Sequence, residues 1–284
     1  MKKKIPAILL AGSAVFSCAH ADNTASWDDW LSRTEIGVDA LRGGKPGYSV
    51  ETVQPLYQDK AKQDTFFTQL RAASNERFGE RRNTFNLGVG YRNLFANNNA
   101  LAGVNVFYDI ETKHSLQRWS IGGELRWSAF DLYANKYFGI TDWKTTNNGA
   151  QEKPLDGYDL DLASQIPYMP WAKAHLINYR WNRERAAEDL SGNKLTFEGD
   201  LTPNLSIEFG RNFNTNNIAE DGNFAMLRFR LNGNSKRPNA MTNFLSSNAF
   251  DARDMSGHTL DRVRRNNLIV VERSADGIVI ARGN

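Results

Sequence analysis

YRNLFANNNALAGVNVFYDIETKHSLQRWSIGGELRWSAFDLYANKYFGITDW, residues 91–143, is the stretch on which the fold turns. In it Ala102, Val104, Val106 and Tyr108 alternate with Gly103, Asn105, Phe107 and Asp109. Further on, Trp119, Ile121, Gly123, Leu125 and Trp127 alternate with Ser120, Gly122, Glu124 and Arg126. A period of two puts the members of each set on opposite faces of a β-strand. A third segment, residues 130–138, is aromatic on both parities, so its faces stay unassigned. Two architectures accept such strands. A soluble sheet buries the apolar face in a core, whereas a membrane barrel turns it to lipid and leaves glycine, asparagine and charge facing a wet lumen.

The amino terminus separates them. Lys2, Lys3 and Lys4 precede an apolar run over residues 5–16, and Ala19-His20-Ala21 places small residues where a signal peptidase reads, so cleavage is expected between Ala21 and Asp22. The run is too short to span a bilayer as a helix. A lipidated Cys18 is the weaker alternative, because Phe16 fits poorly beside a lipid-accepting cysteine. Loss of the three leader lysines takes Lys+Arg from 35 to 32, level with the 32 acids, and nucleic-acid binding loses its main support. Cys18 is the sole cysteine, so the exported chain is stable without disulfides.

The alternation recurs along the chain. Twelve strand-like segments fall near residues 33–42, 48–57, 64–74, 83–92, 101–110, 117–127, 130–138, 156–165, 171–181, 193–202, 204–213 and 223–232. The fold class is therefore all-β: a twelve-stranded antiparallel transmembrane β-barrel over residues 33–232. A leader (1–21) and a periplasmic segment (22–32) precede it, the latter with WDDWL (27–31) as a short amphipathic turn; a tail (233–284) follows. A switch of parity around Leu176 and Ile177 suggests a bulge there. With a periplasmic amino terminus the outward loops include 139–155, 182–192 and 214–222, and the inward turns include Ser128-Ala129, 167–170 and Pro203, the length asymmetry of an outer-membrane barrel. Two connections fit less well: the inward turn 93–100 is long and the outward turn 43–47 is short.

On the lumen parity lie Glu35, Asp39, Arg71, Arg92, Asp109, Glu124, Arg126, Asp159, Asp161, Glu198, Asp200, Glu208, Arg228 and Arg230. Mixed signs there pair and hydrate, whereas an Arg or Lys at the lipid midplane costs about 2–4 kcal/mol. Enzyme chemistry finds little footing. His20, His114, His175 and His258 have no second ligand at metal spacing, and neither HExxH nor GxSxG occurs. His114-Ser115, in a loop read as solvated, lacks the orienting third group of a nucleophilic pair. GGKPG (43–47) lacks the GKS/T of a phosphate loop and reads as a hairpin turn, and Asp109 with Glu124 is weak ground for a carboxylate pair. No catalytic residue, cofactor or metal is expected.

Several phrases then carry a resemblance: NLGVGYR (86–92), GVNVFYD (103–109), GGELRW (122–127), NKYFGITDW (135–143) and DGYDL (156–160) resemble, in order and spacing, the membrane domain of the intimin and invasin family, the inverse autotransporters. DRVRRNNLIVVE (261–272) is similar to the family's segment just after the barrel. The resemblance implies a twelve-stranded outer-membrane barrel of a Gram-negative bacterium, with the chain after the last strand passing back through the lumen to carry an extracellular passenger of immunoglobulin-like domains. It implies outer-membrane lipid, the barrel-assembly machinery and periplasmic chaperones as partners, with a passenger on another chain or a host surface ligand beyond them. Residues 233–284 are too short for one immunoglobulin-like domain of about 100 residues, so the adhesive part is expected to lie outside this chain, and residues 22–27 leave no room for a peptidoglycan-binding module. The translocator role transfers better than adhesion; a passive porin-like barrel and a loop-mediated adhesin remain as alternatives.

The tail carries eight basic and five acidic side chains, a charge complementary to the barrel and suited to a plug in the lumen; a loose periplasmic tail is the other reading. Residues 243–260 offer a helical turn, and 268–271 and 278–280 read as short strands.

Overall fold

The computed structural model describes residues 27–39, 45–147, 149–215, 221–233 and 237–274. The expected leader with its Ala21/Asp22 junction, residues 22–26 of the segment 22–32, part of GGKPG and the strand at 278–280 lie outside the described residues. A one-and-a-half-turn helix, α1 (Trp27–Ser32), leads into β1 (Thr34–Asp39), β2 (Gly47–Gln58), β3 (Asp64–Arg77), β4 (Glu80–Phe95), β5 (Ala100–Glu111), β6 (Leu116–Trp127) and β7 (Phe130–Gly139). After the short β8 (Lys144–Thr145) and β9 (Gln151–Pro154) come β10 (Gly157–Ile166), β11 (Met169–Trp181), β12 (Leu190–Asp200), β13 (Leu205–Asn214) and β14 (Gly222–Arg230), and last β15 (Val271–Arg273).

Twelve of these strands close a barrel. Each pairs antiparallel with its neighbour in sequence, β7 with β10 across the intervening loop, and β14 returns to β1 with Glu35 opposite Arg230 and Asp39 opposite Met226. Closure leaves no unpaired edge, the condition a lipid solvent imposes on strands. The mouth where β1 begins is here the lower one. Its turns at 59–63, 96–99, 128–129, 167–168 and 201–204 are tight, while the long connections 140–156, 182–189 and 215–221 sit at the upper mouth. β8 and β9, in the loop between β7 and β10, form a separate three-stranded sheet there with β15.

The alternation sets the faces. Phe66 is 48% exposed while Phe67 beside it is fully buried, and every barrel strand places at least one large apolar side chain on the exposed outer surface. A continuous apolar belt of that extent has no place on a soluble domain, where patches stay within a few hundred Å². Aromatic rings cluster at both margins of the belt: Phe66 against Tyr91 and Trp127 against Phe130 below, Trp119 stacked on Phe138 at 4.2 Å above. The ambiguous segment 130–138 resolves in the same way. Phe130, Leu132, Ala134, Lys136 and Phe138 turn outward, and Asp131, Tyr133, Asn135 and Tyr137 turn in, because the two tyrosines can place their hydroxyls among lumenal polar groups.

Several expectations are corrected. The alternation runs unbroken through Leu176, opposite Leu162, and Ile177, opposite Asp161; the register shift of this hairpin lies lower, between Gln165 and Ile166, with a second between Pro55 and Tyr57. Apolar residues on both parities had imitated a bulge. The turn expected at 93–100 shrinks to 96–99, since β4 runs on to Phe95 and Ala96, Asn97 and Asn98 reverse the chain with φ of 52°, 54° and 65°. Asparagine tolerates that left-handed region better than most side chains. His114 is buried, not solvated, its Nε2 3.1 Å from Glu80. Within 243–260 the helical turn is a single 3₁₀ turn, Met255–His258, capped by Asp254 accepting from the Ser256 N–H.

Candidate functional site

The lumen is occupied by the chain's own tail. From the end of β14 at the lower mouth, residues 237–250 follow the rim, and Arg253 then turns in, bonding the Ser128 carbonyl and, at 2.6 Å, Asp131. The Met255 N–H donates to the Asn98 carbonyl of a lower turn, and its side chain is buried against Leu94 and Leu101. Residues 259–270 climb through the barrel without joining any strand or helix. At the top the Leu155 N–H donates to the Val270 carbonyl, and β15 pairs with β9, Val271 opposite Pro154 and Arg273 opposite Glu152. The path thus leads from one mouth to the other.

A segment without strand neighbours leaves its peptide groups to be satisfied by other donors and acceptors. Wall side chains supply them. Arg92 donates to the carbonyls of Thr259 (2.8 Å) and Asp261 (2.7 Å), Gln69 accepts from the Val263 N–H, and Asn135 donates to the Arg264 carbonyl. Higher up, Tyr137 Oη accepts from the Asn266 N–H and donates to Asp159 (2.6 Å), Asn86 donates to the Asn267 carbonyl, and Arg118 donates to those of Asn266 and Leu268.

Beyond Arg253, three more tail guanidiniums meet wall carboxylates. Arg265 holds both oxygens of Asp109 at 3.0 and 2.7 Å, and Arg118 grips the same carboxylate from the wall at 2.9 and 2.7 Å. Arg264 lies 2.9 Å from Glu198, 3.2 Å from Glu208 and 3.5 Å from Asp161; Arg262 reaches Glu198 at 2.7 Å and Glu35 at 3.9 Å. Paired and planar, these contacts suit arginine's fork and not lysine's point charge. Glycine makes the room: a side chain on Gly88 would overlap the Phe107 ring, and one on Gly90 the Phe67 ring. Those rings therefore lie flat on the wall, where Arg265 stacks 4.3 Å over Phe107 and Arg92 4.4 Å over Phe67.

The remaining residues of the lumen parity fall into the same lattice. Arg71 sits 3.9 Å from Glu51; Glu124 takes Arg92 at 2.6 Å; Arg126 takes Asp261 at 2.8 Å; Arg228 takes Glu208 at 2.5 Å. Arg230 bridges Glu35 and Asp200, each at 2.8 Å, Asp161 faces His175 at 3.0 Å, and Asp39 is buried near the upper end of β1. Asp109 and Glu124, weighed above as a carboxylate pair, answer to different arginines. Arg118, Glu51 and Arg82 belong to the network but escape the sequence reading; Arg118 continues the parity of Ser120, Gly122 and Glu124, Arg82 lies just before the expected segment 83–92, and Glu51 lies within the expected segment 48–57.

At the upper mouth apolar contact takes over. Leu268 and Val270 enter a cluster with Tyr137, Leu155, Tyr179, Trp181 and Leu190, while Ile269 and Val271 pack on Leu116 from the other side. The Glu272 carboxylate accepts from the N–H groups of Glu184 (2.8 Å), Arg185 and Ala186 (3.1 Å), tying the loop between β11 and β12 to the emerging chain. In that loop burial opposes the charge of Asp189, but the Arg183 N–H and the Arg180 guanidinium outweigh it and hold the carboxyl below the usual carboxylate range. Among the described residues no cluster of three or more His, Cys, Asp or Glu side chains is arranged to hold a metal ion.

A closed barrel with an apolar outer belt, aromatic margins and a polar lumen defines an outer-membrane β-barrel protein. Its particular kind follows from comparison. The chain belongs to the inverse autotransporter family, whose β-domain model matches residues 20–267. It is 26% identical to the intimin of Escherichia coli O111:H- over 261 residues, 88% of this chain and 27% of that one. It is 24% identical to the inverse autotransporter adhesin YeeJ of Escherichia coli K12, covering 89% of this chain and 11% of that protein. The invasin of Yersinia enterocolitica matches at 28% over 56% of this chain and 19% of its own length. The chain thus spans about a quarter of the length of the intimins it matches. A solved structure from work on in-meso crystallization of membrane proteins shares the fold, with a TM-score of 0.68 at 23% identity, over 85% of this chain and 99% of its own.

Proposed function

We propose that this barrel is an outer-membrane anchor and translocator for surface display, its lower mouth in the periplasm and its upper mouth outside the cell. The observation that carries the reading is the passage of residues 253–273 from one mouth to the other, ending in β15 on the loop sheet. Chain continuing past Ser274 would emerge on the cell surface, where a passenger would be attached and would meet a host or neighbouring cell. The lumenal carboxylates and arginines then act as a clamp on the linker and take part in no reaction; the protein is not an enzyme. The leader ending at Ala21 directs export, and periplasmic chaperones and the barrel-assembly machinery deliver the chain to the membrane.

A single-cysteine experiment tests the orientation, because the only native cysteine, Cys18, lies in the leader. Ser274→Cys should react with a membrane-impermeant maleimide on intact cells, while Lys60→Cys, in a lower turn, should react only after the outer membrane is opened. The reverse pattern would exclude surface display by this route.

A further inference from the structure

Between β14 and its turn into the lumen the tail makes a detour that threading does not require. Residues 239–250, NAMTNFLSSNAF, carry no charge, yet Met241, Phe244, Leu245 and Phe250 are 77%, 59%, 65% and 45% exposed. The segment runs along the lower rim. Its N–H groups at Ala240 and Met241 donate to the carbonyls of Asp200 and Leu201 at the end of β12. Tyr168, in the turn between β10 and β11, accepts from the Ser246 N–H at 2.8 Å and donates to the Ala249 carbonyl at 2.9 Å. Trp171 Nε1 donates to the Phe244 carbonyl at 3.0 Å.

The rings show which side of the rim it takes. Phe244 stacks on Trp171 at 5.9 Å, and Phe250 packs on Phe130 at 6.1 Å. Phe130 belongs to the outer aromatic margin beside Trp127, and Trp171 covers Gly199 on the outer surface. The segment therefore extends the lipid-facing surface of the barrel beyond the ends of its strands.

From this continuity we infer that residues 239–250 form an interfacial strap that inserts Met241, Phe244, Leu245 and Phe250 into the periplasmic leaflet of the outer membrane. Aromatic and aliphatic side chains spaced by Ser, Thr and Asn suit the boundary between headgroups and acyl chains, where one end of the residue is wet and the other apolar. The hydrogen bonds to Asp200, Leu201 and Tyr168 prevent the strap from rotating these side chains inward, and water would leave them unburied. The bilayer is the occupant that the neighbouring surface already meets. The strap fixes the tail on the outside of the rim immediately before Arg253 draws it in, so lipid holds the linker at the point where it enters the lumen. The choice of leaflet rests on the orientation proposed above, whereas insertion itself does not: a barrel with no passenger would keep the strap.

Spin labelling tests it on the whole mature protein. A nitroxide at Leu245→Cys, with Met241→Cys as a second site, is measured in phospholipid vesicles and in native outer-membrane fragments, and Lys60→Cys in a lower turn serves as the aqueous reference. Folding is checked by heat-modifiable gel migration, which these exposed positions should leave unchanged. Insertion predicts relaxation by oxygen over relaxation by a water-soluble nickel complex severalfold higher at 245 and 241 than at 60, in both preparations. Equal ratios at all three sites would overturn the strap. Shielding from both reagents in native fragments, with exposure to nickel in pure lipid, would assign the patch to a periplasmic protein and overturn it equally.

Discussion

Residues 239–250 and residues 259–273 are successive parts of one tail, yet they solve opposite solvation problems. The first has no charge and lays aromatic rings on the outside of the wall; the second sets a partly buried Arg262 and the buried Arg264 and Arg265 among wall carboxylates. Exchanged, each would fail: arginines on the belt would face hydrocarbon, and Phe244 or Leu245 in the middle of the lumen would deprive Asp109 of Arg265 and Glu198 of its two tail arginines. The barrel wall is thus a boundary between two solvents, and the tail is patterned for both. Along the tail, order inside comes from pairing arginines with carboxylates; outside, it comes from carrying no charge.

The strongest way to break the comparison is to remove the tail. A mature protein ending at residue 232 should show a steady large conductance in planar bilayers, severalfold above that of the full chain, because the tail is the segment that threads the lumen from mouth to mouth. If both forms conduct alike, the threaded path is not the state in the membrane. Next comes the inner pairing. Asp109→Ala leaves Arg118 and Arg265 without their shared carboxylate, and removing one member of a buried pair costs about 3–5 kcal/mol. Urea unfolding in vesicles reads this, and combining it with Arg265→Ala should cost less than the two single losses added, since one partner is then already gone.

The outer rule is tested by Val104→Arg, which puts a cation on the lipid face beside Gly103 and Asn105 of the lumen parity. The expected loss is about 2–4 kcal/mol in the same unfolding assay, falling towards zero if the position lies near the interface. The smallest effect is expected where water screens the pair. Arg180→Ala in the upper loop region breaks a bridge to Asp189 in which Arg180 is half exposed, worth about 0.2–1 kcal/mol. Because the folded carboxyl of Asp189 is depressed, that contribution is present near neutral pH and lost as pH falls through its folded pKa. The variant should therefore differ from wild type at pH 7 and converge with it in acid.

How far the sequence reaches is clear from individual residues. Parity was legible wherever apolar and polar residues alternated strictly: Gly103, Asn105 and Asp109 face in and Val104, Val106 and Tyr108 face out as their spacing requires. It failed where chemistry was ambiguous. The segment 130–138 has rings on both faces, and only the neighbours of each ring show that tyrosine hydroxyls want the lumen and phenylalanines the lipid. The apolar Leu176 and Ile177 imitated a bulge because Ile177 is an apolar side chain on a polar wall.

By itself, then, the amino-acid sequence determined the strand count, the two faces of the wall, the expected export and the resemblance to a family, since all of these are written in spacings of two to a dozen residues. Which carboxylate meets which arginine was beyond it: Arg265 and Asp109 are 156 positions apart, and any of several lumenal acids had the right charge. The route of the tail was likewise decided only by closure. A lumen exists only once β14 has paired with β1, and only then does the same covalent chain have an outside for Phe244 and an inside for Arg265.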